Sequence, residues 1–117
     1  MAQSIIGEKS LAFAKRIAKC YRYLNDKKHE GIMSKQLLRS GTSVGANVRE
    51  GQYAQSKKDF ISKINIALKE AGETDYWLDV IHSAGYFTDD EYSSLDADNK
   101  ELLKILASIV KTSKENS

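Results

Sequence analysis

The sequence predicts an all-α fold, an antiparallel up-down-up-down four-helix bundle. Three observations lead there. The 117 residues include no Pro, so nothing removes a backbone N–H from a helix interior. Apolar residues recur at spacings of three and four in four separate stretches, the pattern of a helix with one buried side. The connections between those stretches are short, and short connections force consecutive helices to lie antiparallel. One domain over 1–117 is expected, with a disordered tail from about residue 114. A chain of this size hides roughly two-thirds of its unfolded surface, enough for a core without disulfides or metals.

The first helix is expected from about Ser4 to Lys28, burying Ile6, Phe13, Ile17, Cys20 and Leu24. The second runs from about Ile32 to Tyr53 on an apolar stripe of Met33, Leu37, Gly41, Val44 and Val48. Gly41 and Gly45 each cost about 1 kcal/mol of helix propensity, which makes sense where a neighbouring backbone comes close. Ser56-Lys57-Lys58-Asp59 has the form of a capping box with Asp in place of Glu, and it starts the third helix. Phe60, Ile64, Ala67, Ala71, Thr74, Leu78 and Ile81 then make the cleanest heptad stripe in the chain. Gly85 is the expected stop. Thr88-Asp89-Asp90-Glu91 is a stronger capping box, with three acids where the helix dipole favours negative charge. It opens the fourth helix, whose buried side is Tyr92, Leu95, Leu102, Leu106 and Ile109.

Composition narrows the function classes. Apolar residues make up 41% and charged residues 29%, a globular balance. No apolar run approaches the roughly 20 residues a membrane helix needs, and the N-terminus lacks a basic segment leading into an apolar one, so no signal peptide is expected. The lone Cys20 suits a reducing, cytoplasmic compartment and reads as a small buried hydrophobe. The net charge of +2 conceals an asymmetry: residues 1–58 hold 12 Lys/Arg and 4 Asp/Glu, while residues 59–117 hold 6 and 12. Such a division serves either nucleic-acid binding or head-to-tail self-assembly.

Two polar constellations are candidates for function. On the second helix, Arg39, Ser43, Asn47 and Glu50 fall within about 80° of one another at 100° per residue. Ser and Asn are poor formers of helix interiors, and Arg offers a planar fork for a carboxylate or phosphate. On the third helix Glu70 and Glu73 share a side, positioned to pair with a cation such as Arg39 within the chain or across a subunit boundary. The second constellation is the basic face of the first helix, Lys15, Arg16, Lys19 and Arg22, which could track a phosphate backbone. Catalytic signatures are absent. No phosphate-binding Gly-rich loop follows a strand, Ser43 has no nearby His as base, and neither His29 nor His82 stands in the Glu-x-x-His relation of a bundle metal site. No enzyme activity, metal or cofactor is expected.

The segments RSGTSVGANVREG and DFISKINIALKEAGETDYWL resemble the four helix bundle protein family, also called the 23S rRNA intervening-sequence protein family. Its Arg, Ser, Asn and Glu-Gly pattern matches Arg39, Ser43, Asn47, Glu50 and Gly51, and its third-helix positions match Phe60, Ala67 and Glu73. The fourth helix is not diagnostic. The resemblance implies a left-handed antiparallel bundle assembling as a homopentameric ring, bacterial and cytoplasmic, with no known catalysis. A related group, the accessory proteins of diversity-generating retroelements, binds nucleic acid and a reverse transcriptase; this chain departs from it by its modest net charge. The expected partners are therefore further copies of the chain, and RNA or a nucleic-acid-handling protein. A purely structural oligomer or adaptor that binds no nucleic acid is the alternative.

Overall fold

The computed structural model describes residues 2–116. Four helices account for nearly all of them: α1 Ala2–Asp26, α2 Met33–Gln52, α3 Lys57–Ser83 and α4 Asp89–Glu115. No strand occurs among the described residues. The α4 helix continues to Glu115, past the point where the tail is expected to begin. Its last turn carries Lys114 at the end the dipole favours for cations.

Capping chemistry sets the ends. Ser56 Oγ accepts from the Asp59 amide at 3.0 Å to start α3. At α4 the box closes both ways, Thr88 Oγ1 accepting from the Glu91 amide and Glu91 Oε1 from the Thr88 amide. The end of α3 is a Schellman turn: the Gly85 amide bonds the His82 carbonyl, the Tyr86 amide bonds the Ile81 carbonyl, and Gly85 sits at φ 90°. The start of α2 uses a device that the sequence pattern did not suggest. Glu30, nearly buried, accepts from the amides of Ile32, Met33 and Ser34. It thus satisfies donors that the first turn of a helix otherwise leaves open.

The helices pack in a square. Each touches its sequence neighbours, α1 also touches α4, and neither diagonal pair is in contact among the described residues. The dimensions of 47 × 21 × 19 Å match rods about 40 Å long, two across in each direction. Side chains that meet show the antiparallel register directly. Asn25 reaches Ser34 across α1–α2, Arg39 reaches Glu70 across α2–α3, and Arg16 reaches Asp98 across α1–α4. Ile17, Leu24, Leu37, Val44, Ile64, Leu78, Leu102 and Leu106 fill the centre and are essentially inaccessible to solvent.

Of the two α2 glycines, Gly45 meets the close backbone approach that its propensity cost suggests, whereas Gly41 faces a side chain. A Cβ on Gly45 would lie 3.2 Å from the Ser10 backbone carbonyl, and one on Gly41 3.0 Å from the Ile17 side chain. Gly72 on α3 is different: nothing lies within 4 Å of its missing Cβ. The two sites therefore respond in opposite directions. Gly45→Leu should cost about 1–3 kcal/mol by overpacking against rigid backbone, whereas Gly72→Ala should add about 0.5–1 kcal/mol. Urea denaturation of both variants checks the pair, and equal signs would contradict the packing described.

Candidate functional site

The seam between α2 and α3 carries the central polar group. Arg39 extends from α2 toward α3, with Nη1 3.0 Å from Glu70 Oε1 and Nη2 paired with Glu73 Oε2. The two carboxylates stand three residues apart, so they project from the same side of α3 within one turn. The planar guanidinium bridges both, which a lysine point charge cannot reproduce. Arg39 stays half exposed while the Glu70 side chain keeps only 13% of its surface in solvent. Glu70 is therefore the member that most needs its partner.

Directly inside this group lies a buried polar pair. The hydroxyls of Ser40 and Thr74, both with no accessible surface, meet at 3.0 Å, and Thr74 also reaches the Glu70 carbonyl at 2.9 Å. On the other side of α3, Asn99 of α4 is fully buried and donates to the Ala71 carbonyl at 3.0 Å. A line of polar contacts thus crosses the bundle from α2 through α3 to α4. Sequence reasoning counted Thr74 only as part of the apolar stripe and did not single out Ser40 or Asn99, although the signal was present. Thr74 sits within the heptad stripe of α3, and Asn99 occupies the position between Leu95 and Leu102 where the α4 stripe calls for a hydrophobe.

The rest of the α2 stripe does not join Arg39. Asn47 turns back on its own helix, donating to the Ser43 carbonyl at 2.9 Å and meeting Ser43 Oγ at 3.1 Å. Glu50 pairs with Lys63 of α3 at 3.2 Å, eleven residues and roughly 16 Å along the axis from Arg39. The six residues expected to form one network therefore make two separate cross-helix contacts with a local turn bond between them.

The basic face of α1 is also divided. Arg16 points to α4, with Nη1 2.7 Å from Asp98 and Nη2 2.6 Å from the Ser94 hydroxyl. Lys9 makes a second link across the same seam, to Glu101 at 3.1 Å. Arg22 lies 3.7 Å from Asp26 on its own helix. Lys15 and Lys19 are exposed and form no ion pair among the described residues.

Near the α3–α4 turn, His82 stacks on Tyr92 with centroids 4.2 Å apart and places Nε2 2.8 Å from Asp89. Tyr92 donates to Asp79, and this bond first, with lesser burial and neighbouring acids, pushes the phenol up to about 12. Lys100 bridges Asp75 and Asp96, which hold its ammonium charged to higher pH than usual. Among the described residues no three His, Cys, Asp or Glu converge as metal ligands would. Burial, then the charge of Glu91, pushes the Cys20 thiol up to about 11 against the opposing pull of Arg16.

Two apolar surfaces remain open. A groove of about 490 Å³ runs between α1 and α2, with Gly7, Ala14, Gly45 and Ala46 along it, the half-exposed Leu11 at its side, and Glu8 and Arg49 adding charge to its lining. The outward corner of α3 shows Ile66, Tyr76 and Val80, with Tyr76 59% exposed.

These features define an all-α, up-down-up-down four-helix bundle whose most developed polar site is an interhelical ion-pair cluster. The chain belongs to the 23S rRNA-intervening sequence protein family, whose profile matches residues 2–108. It is similar to a protein of unknown function from the S23 ribosomal protein family of Bacteroides thetaiotaomicron, known from a crystal structure. The two are 50% identical, the match covers 95% of this chain and 99% of that one, and the TM-score is 0.94. No curated protein matches the chain.

Two outcomes test this geometry. Arg39→Ala should destabilise the protein by about 1–2 kcal/mol, because Glu70 loses its partner while the half-exposed arginine itself contributes little. Arg39→Lys should recover only part of that stability in urea titrations. Cys20 should resist dithionitrobenzoate at pH 8 until the protein is unfolded. Its folded thiol holds the proton more tightly than the unfolded one, so its stabilising effect is present below pH 9 and is lost as pH rises toward about 11. Cys20→Ala should flatten that part of the pH–stability curve.

Proposed function

We propose that this is a non-enzymatic, bacterial and cytoplasmic bundle protein that self-associates as a homopentameric ring and serves an RNA-binding or accessory role. One observation carries the assembly: the two exposed apolar surfaces are unlike and lie on different sides of the bundle. Glu70 of α3 faces α2, and Asp75 and Asp79 face α4, so Tyr76 points away from both, with Ile66 at the α2 edge of this corner. The groove, by contrast, follows the α1–α2 seam. Unlike patches join head-to-tail, and head-to-tail contacts generate a ring when the rotation closes. The family resemblance supplies the number five.

Nucleic-acid binding draws on the face of α1. Lys15 and Lys19 are free to contact phosphates, flanked by Arg16 and Arg22 in exposed pairs that a phosphate could exchange into. The competing reading, a structural scaffold or adaptor for a protein partner, is favoured by Arg16, whose contacts with Asp98 and Ser94 already occupy its fork.

Light scattering decides between them. The purified protein should show a mass near five times the 13.1 kDa chain, and Leu11→Glu with Tyr76→Glu should reduce it toward one chain. A wild-type monomer would remove the ring. Lys15→Glu/Lys19→Glu should lose RNA while staying assembled, with wild-type affinity falling steeply in salt. Dissociation of that variant would assign the charges to assembly instead.

A further inference from the structure

Ion pairing inside the chain is uneven along the bundle. The end that holds the α1–α2 and α3–α4 turns mixes signs: Asp79, Asp89, Asp90 and Glu91 lie within or beside the second turn, and the exposed Lys27, Lys28 and Lys35 within or beside the first. The opposite end is built from the C-terminal turn of α2, the start of α3 and the end of α4. Lys57 Nζ donates to the Asn116 carbonyl at 2.6 Å, which places the end of α4 against the α2–α3 turn. Arg49, Lys58, Lys111 and Lys114 are all exposed at this end, and none forms an ion pair among the described residues. Its own unpaired carboxylates are fewer: Glu8, Asp59 and Glu115.

An aromatic ring stands at the same end: Tyr53 follows Arg49 by one helical turn and precedes Lys57, whose side chain reaches the end of α4, by four residues. Tyr53 is 82% exposed, yet its backbone is fixed. Its amide donates to the Glu50 carbonyl at 3.1 Å, and the next amide, of Ala54, donates to the Gly51 carbonyl at 3.1 Å. A ring held in water on an ordered turn loses little conformational freedom when it stacks on a partner. Exposed aromatics on ordered backbone surrounded by unpaired cations are the elements that bind single strands: bases stack on the ring while Lys and Arg follow the phosphates. A duplex fits less well, since its bases are already stacked and no helix is presented here for insertion into a groove.

We propose that this end of the bundle docks single-stranded nucleic acid, with Tyr53 stacking on a base and Lys57, Lys58, Lys111 and Lys114 contacting phosphates. The proposal rests on the nucleic-acid part of the reading above and adds what the α1 face lacks, a platform for a base.

Fluorescence anisotropy with a labelled 12-nucleotide oligouridine RNA, at several salt concentrations, tests it on the full chain. Tyr53→Ala should weaken binding about tenfold without changing the salt slope, and Tyr53→Phe should restore it. Lys58→Glu/Lys111→Glu should weaken binding and lower the slope by roughly 1.4, about 0.7 for each phosphate of a single strand that is no longer neutralised. All three positions are exposed, and thermal melts followed by circular dichroism confirm that each variant is folded. Binding unchanged in Tyr53→Ala, equal binding of a 12-base-pair RNA duplex, or displacement by polyglutamate as effective as by RNA each overturns the proposal. Loss of binding in Lys15→Glu/Lys19→Glu alone would leave the α1 reading standing and remove this one. If the wild type binds no RNA, both fall.

Discussion

Register is the constraint on which the rest of this bundle depends, and the Arg39 guanidinium holds it where the two halves of the chain meet. Four apolar stripes packed together are tolerant of sliding, because leucines and isoleucines of similar size meet at every turn. A fork that must reach Glu70 and Glu73 at once tolerates no slip. The Ser40–Thr74 pair directly beneath acts more weakly in the same sense: a one-turn shift would break the bond between them, while each hydroxyl keeps a carbonyl of its own helix. These groups add little net stability, because desolvation cancels much of the attraction. Their effect is on which arrangement of α2 against α3 is the lowest in energy.

The charge division of the sequence has a structural counterpart here. The basic half becomes α1 and α2, the acidic half α3 and α4, and the two halves share two seams. Both seams carry cross-half pairs: Arg39 with Glu70 and Glu73 on one, Arg16 with Asp98 and Lys9 with Glu101 on the other. Part of the asymmetry is thus neutralised within the folded chain. What remains unpaired is mainly cationic, such as Lys15 and Lys19 on the α1 face, and the net formal charge of +2 understates it.

Helix positions were legible because each signal was local. Thr88 and Glu91, Ser56 and Gly85 act on the backbone a few residues away, and their chemistry does not wait on the tertiary fold. The α2–α3 ion pair was also within reach, since Glu70 and Glu73 share a side and a cation such as Arg39 was the expected partner. Within the chain the six residues do not join in one network, because angular proximity on a helix says nothing about distance along it. Arg39 and Glu50 share an angular sector and lie three turns apart. Arg16 escaped for another reason. A residue at the edge of a basic face belongs to solvent or to the neighbouring helix depending on where α4 sits, and that is a property of packing. Asn99 was visible as a polar gap in an apolar stripe, whereas nothing in the local pattern marked Glu30 as the acceptor of the α2 amides.

Each of the four seams is closed by a different chemistry. Between α1 and α2, Gly41 and Gly45 let the backbones approach, with Ser10 and Ile17 filling the space. Between α2 and α3 the closure is a forked ion pair over buried hydroxyls. Asn99, Tyr92 and Lys100 bond α4 to α3 through a carbonyl and two aspartates. The α1–α4 seam carries exposed ion pairs, with Arg16 also donating to the Ser94 carbonyl and hydroxyl. A helix moved to another corner, or inserted in the reverse direction, would face a seam it cannot satisfy. Bulky side chains would meet where glycine is needed, or a carboxylate would be buried without its cation. Hydrophobic patterning makes many bundles of this length possible, and the mismatch among unlike seams leaves one. The same argument separates inner from outer surfaces. Groups whose polar atoms are committed to a seam are less available to partners, so binding falls to what the seams leave open: the outer side of the α1–α2 groove, the α3 corner and the unpaired cations.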